Sequence, residues 1–133
     1  MNIWYAPPVT TADVIRHWRK GANDALEAAE LLKNDGKYDL ALFHCHLAIE
    51  KALKAAIMEK TQKPHPKIHS LLNLATMLRN DWNTEDRNLF STLSDFAVAS
   101  RYDDPAWSER FATEENAQQW ISRTEAFLSD FLV

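Results

Sequence analysis

The chain has 133 residues, 46% of them hydrophobic and 26% charged, with a formal net charge of −4. That length can bury a core as one domain without disulfides or metal, and the mild acidity excludes a broad basic coat for nucleic acid while leaving room for a local basic site. One cysteine excludes an intramolecular disulfide, and two glycines and five prolines are few for a structure of many tight turns, which points to an all-α fold.

Residues 1–10 read as an extended segment, because Pro7 and Pro8 disfavour helix at and before them. Trp4 and Tyr5 are placed to pack back onto the domain. Residues 11–133 read as a single helical bundle domain. The first residues lack a basic stretch followed by an apolar one, so no signal peptide is expected. No run of about 18 apolar residues is present, so no membrane partner is expected, and a cytoplasmic location is the simple expectation.

The first helix is predicted from about Thr11 to Lys33, with Thr11 or Asp13 as cap. Ile15, Trp18, Ala22, Ala25, Leu26, Ala29 and Leu32 recur in it at helical spacing. Asn34-Asp35-Gly36 is a stop and turn signal, so the next helix should run antiparallel beside the first. That second helix, from Tyr38 to about Lys60 or Thr61, is the longest apolar-periodic run and contains no Gly or Pro. Leu42, Cys45, Ile49, Ala52, Leu53 and Ala56 fall on one side, which makes Cys45 a small core hydrophobe. His44, His46, Glu50, Lys51 and Lys54 fall on the other, giving a helix with one buried face. Phe43 and Leu47 break the pattern, being bulky apolar groups inside the polar arc.

Pro64 and Pro66 make the following stretch an ordered loop, with His69 or Ser70 placed to cap a third helix carrying Leu71, Leu72, Leu74, Ala75 and Leu78. Asn80 to Asn83 breaks that helix. Thr84 is placed to cap a fourth, with the stripe Leu89, Phe90, Leu93, Phe96 and Ala97. The segment around Pro105 reads as a loop or broken turn. Thr113 caps a fifth helix whose apolar face is Ala117, Trp120, Ile121, Thr124, Phe127, Leu128 and Phe131. The expected architecture is an antiparallel up-and-down bundle of about five helices.

Three stretches in this order, FHCHLAIEKALKA in the second helix, PHPKIHSLLNLA after it and SRYDD after the fourth, resemble the HEPN family, above all its small stand-alone prokaryotic members. The resemblance covers roughly residues 11 to 131. It implies a helical bundle with a four-helix core, often a homodimer, and frequent pairing with a minimal nucleotidyltransferase, in some cases as toxin and antitoxin. Many members are metal-independent RNases that carry an Arg-x4-6-His motif near the fourth helix. This sequence departs from that pattern: its histidines are His17, His44, His46, His65 and His69, and none follows Arg101, Arg79, Arg87, Arg110 or Arg123. The resemblance therefore implies a non-catalytic module that binds a nucleotide or a nucleotidyltransferase partner. The alternative is an RNase in which His46 or His69 carries the proton and Arg101 stabilises the phosphate.

Arg101-Tyr102-Asp103 is the most suggestive polar corner. An arginine fork binds phosphate bidentately and a tyrosine ring stacks on a base; alternatively Arg101 makes an internal salt bridge and Tyr102 packs. His46, Glu50 and Lys54 form an i, i+4, i+8 row, which reads either as a groove with Lys54 on phosphate or as a solvated face with a Glu50–Lys54 pair. His69 joins the set as the residue that orders the loop. Lys60, Lys63 and Lys67 with His65 read as solvated loop charge. The spacings carry no zinc motif and no cofactor is expected. Phe43 and Leu47 need cover, from the segment after the fourth helix or from a second copy of the chain.

Overall fold

The computed structural model describes residues 9–102 and 104–132. Six helices follow one another: α1 (Thr11–Asn34), α2 (Tyr38–Thr61), α3 (Leu71–Leu78), α4 (Thr84–Arg101), α5 (Pro105–Phe111) and α6 (Glu114–Phe131). No strand occurs among the described residues.

α1 begins at Thr11 as expected, but its cap is Thr10 rather than Thr11 or Asp13. Thr10 accepts a hydrogen bond from the Asp13 amide, and Asp13 accepts one from the Thr10 amide, a closed capping box. α1 ends at Asp35-Gly36, where Gly36 takes a φ of 77° that L side chains rarely adopt. The turn sends α2 back antiparallel, and Arg19 near the start of α1 pairs with Glu59 near the end of α2.

α2 is the centre of the molecule, packing against α1, α3, α4 and α6. The expected single buried face does not hold. Ala41, Leu42, Cys45, Ala48, Ile49, Ala52 and Leu53 are buried, and so are His46, Glu50 and Lys54 on the other arc. A helix enclosed from several sides has no solvated face to spare, so its polar residues must satisfy one another.

α4 and α6 run antiparallel, joined by a ladder of aromatic contacts. Phe96 meets Trp120 at 5.7 Å and Phe90 meets Phe127 at 5.4 Å, both edge to face. Trp82, in the stretch expected only to break a helix, is buried and donates its indole N–H to the Ala75 carbonyl at 2.8 Å. Asn83, not Thr84, caps α4, through the Asp86 amide. Thr113 caps α6 and Ser70 caps α3, as expected.

The segment around Pro105 is helical rather than a broken turn. Asp104 accepts hydrogen bonds from the Ala106 and Trp107 amides, and Pro105 sits in the first turn, where its missing N–H costs nothing. Its Trp107 lies 5.8 Å from Phe96, which also meets Trp120, so α5 covers the α4–α6 side of the core.

Candidate functional site

The connection after α2 turns at Gln62, which is left-handed with a φ of 56°, and passes through Pro64 and Pro66. It returns across α2 at His69. There the His46 Nε2–H donates to the His69 carbonyl at 3.0 Å, which fixes the tautomer and leaves Nδ1 bare. The His69 Nδ1–H faces Glu50 Oε2 at 3.0 Å, and Lys54 Nζ donates to the same oxygen at 3.0 Å. Glu50 Oε1 lies 3.6 Å from His46 Nδ1, a buried atom with no hydrogen-bond partner. Burial pushes the His46 pKa below its ordinary value, against the opposing pull of Glu50. Trp18 of α1 lies beside Lys54, its ring centroid 5.8 Å from Nζ.

Leu71 N–H donates to Ser94 Oγ at 3.1 Å, tying the start of α3 to α4. Above the polar cluster this leaves a groove of about 410 Å³ between α2 and α4. Phe43, His46, Leu47 and Glu50 line it from α2, His69 and Ser70 from the loop, and Ser94, Ala97, Val98 and Arg101 from α4. Phe43 and Leu47 are half-buried, Val98 is exposed, and Arg101 makes no side-chain hydrogen bond or ion pair with the described residues. The groove is thus an apolar slot with a buried carboxylate and two imidazoles along one side and a guanidinium at one end. A larger cleft of about 570 Å³ lies at the other end of α4. Both of its arginines are engaged: Arg79 on the Trp82 ring and Asp81, Arg123 on Asn88 and the Glu85 carbonyl.

Residues 15–132 match the model of the HEPN domain family. The chain belongs to the HEPN family. Two solved structures are similar to this HEPN chain. TT1696 from Thermus thermophilus is 24% identical with a TM-score of 0.76, over 88% of this chain and 94% of that one. ST0689, described as an archaeal HEPN homologue, is also 24% identical with a TM-score of 0.71, over 88% and 93%. At that identity both show the shared fold. No curated protein matches the chain.

The HEPN bundle brings together His46, Glu50, His69, Arg101, Phe43 and Leu47 in one groove. Two expected members stand apart. Lys54 lies beneath the groove, its charge spent on Glu50, because α1 closes over that turn of α2. Tyr102 is 76% exposed and off the groove lining. Asp103 lies outside the described residues. Sequence reasoning missed Ser94 and Val98 and took Ala97 for core. The signal was present as Ser94, Ala97, Val98 and Arg101 at i, i+3, i+4 and i+7, a second stripe on α4. Among the described residues no helix is long and apolar enough to cross a membrane, and no group of three or more His, Cys, Asp or Glu is arranged to hold a metal ion.

Proposed function

We propose that this HEPN chain is a nucleotide-binding module working as a homodimer beside a minimal nucleotidyltransferase partner, in a toxin–antitoxin setting. The observation that carries the reading is the groove with Arg101 at its end: a slot walled by Phe43, Leu47, Ala97 and Val98 suits the faces of a base, and a guanidinium with no partner among the described residues suits its phosphate. Calorimetry with adenosine and guanosine monophosphates is expected to give saturable binding. Arg101→Ala should weaken it about tenfold, the scale of one charge-assisted hydrogen bond, with circular dichroism unchanged. Equal affinity for the two proteins would sink the reading.

One observation favours RNA cleavage as a second reading. His69 faces Glu50 through Nδ1, which leaves Nε2 available to a 2′-hydroxyl, and Arg101 lines the same groove. Incubation with total RNA in EDTA decides between the readings. Cleavage lost on both His69→Ala and Arg101→Ala favours the nuclease, and intact RNA favours the binding module.

A further inference from the structure

α2 turns one edge outward. From Ala41 to Leu53 every residue is buried except Phe43, His44, Leu47 and Lys51, which are half-buried. With Asp39, also half-buried, three of these make a row at i, i+4, i+8 and i+12: Asp39, Phe43, Leu47, Lys51. The row is apolar at its centre, acidic at one end and basic at the other. Neither end is paired: Asp39 and Lys51 make no hydrogen bond or ion pair among the described residues, whereas Asp35 holds Lys37 and Glu50 holds Lys54. Lys51 lies in a shallow furrow of about 300 Å³ between α2 and α1, walled also by Leu47, His44, His17 and Gly21. Gly21 sets its place, since a Cβ there would meet Lys51 Cδ at 3.1 Å and Nζ at 3.2 Å. A mid-helix glycine weakens a helix; here it makes room for the lysine to lie against α1, beside the Phe43–Leu47 ridge.

We propose that this row packs in antiparallel register against the same row of a second copy, with Phe43 on Leu47 and Asp39 on Lys51, twice over. The inference rests on the homodimer reading and gives that dimer its register. A row that runs acid, apolar, apolar, base is complementary to itself only when reversed. Antiparallel, each charge meets its opposite and each apolar side chain meets an apolar one, as a two-fold axis midway between Phe43 and Leu47 requires. Parallel, aspartate would meet aspartate and lysine would meet lysine. Rows at i and i+4 spacing are also the ridges that interdigitate in the commonest class of helix crossing. The start of α2 in the second copy, with Asp39 and the exposed Leu40, then enters the furrow at Lys51. The apolar centre supplies the burial, and the two charged ends fix orientation and register.

The test is charge reversal, read by sedimentation equilibrium and native mass spectrometry. Asp39→Lys makes both ends of the row basic, and Lys51→Asp makes both acidic. At low salt each variant alone is expected to dimerise about tenfold more weakly than the wild type, as two attractive pairs become two repulsive ones. High salt should narrow that difference. Mixed in equal amounts, the two variants should form a heterodimer as tight as the wild-type dimer, because every lysine in it faces an aspartate. Circular dichroism checks the fold, since Asp39 lies in the first turn of α2, where a carboxylate favours the helix. If Asp39→Lys does not fold, Asp39→Asn and Lys51→Gln probe the same pair: losses that fall short of adding in the double variant support it, and additive losses overturn it. A monomeric wild type overturns this contact together with the homodimer reading. A dimer that neither reversal weakens leaves the homodimer standing and overturns the register. Variants that are each weakened and still fail to associate when mixed overturn the Asp39–Lys51 pairing.

Discussion

Glu50 is the residue on which the polar interior depends. Its side chain is 9% exposed, and Lys54 and His69 both donate to one of its oxygens. Breaking such a pair strands a charge away from water, which costs far more than the intact pair contributes. Lys54→Met is therefore expected to destabilise the fold by about 3 kcal/mol, read as a lower urea midpoint with the m-value unchanged. The double variant with Glu50→Gln should recover much of the loss. His46 makes stability depend on pH. Burial lowers its pKa below the ordinary 6.5, so near that pH the unfolded chain takes up a proton that the folded chain refuses. Stability is then full above about pH 6.5 and falls as the pH drops below it. His46→Gln retains an N–H for the His69 carbonyl and should flatten the urea midpoint between pH 7 and pH 5; an unchanged slope would assign the dependence elsewhere. Cys45, by contrast, is inert in the fold, because burial pushes its thiol up to about 12.

Among the elements, α5 is held least. It contributes no buried residue and rests on the core through the half-buried Trp107 and Phe111. Its seven residues are too few for a stable helix alone, so the Asp104 cap and the Pro105 start must define it. Amide exchange is expected to be fastest in α5 and slowest in α2, and protection of α5 equal to that of α2 would contradict this. α2 is the opposite case, enclosed by four helices and dependent on internal pairing for its charges. The loop from Gln62 to Ser70 is fastened to it, since His46 and Glu50 pin the loop at His69.

At the scale of the whole molecule, apolar side chains of α2 and α4 flank the groove. Val98 of α4 is 47% exposed across from half-buried Phe43 and Leu47, and Leu40, 41% exposed, continues their row on α2 at i, i+3 and i+7. A surface of this kind suits an isologous contact with a second copy. The expected outcome is that the chain elutes as a dimer and that Phe43→Asp elutes as a monomer with an unchanged circular dichroism spectrum. A variant that remains dimeric would place the contact elsewhere.

Helix periods, the Asn34-Asp35-Gly36 turn, the Ser70 and Thr113 caps and the Leu42–Cys45–Ile49 seam were legible in the residues, because each depends on chemistry within a few positions. The short α5 was not, since a proline reads equally as a break or as a first turn until Trp107 finds Phe96. The row His46, Glu50 and Lys54 was legible as a row, but not as an interior. A period of 3.6 places residues on an arc and says nothing of how many neighbours enclose it. The sequence by itself determined an all-α chain resembling the HEPN family, with Arg101 near the end of its fourth helix and no histidine after it. Only the tertiary structure decided that Lys54 is buried beneath the groove, that His69 closes over Glu50, and that Gly21 makes room for Lys51. Burial and side-chain pairing depend on which helices pack across α2, at separations no local pattern records.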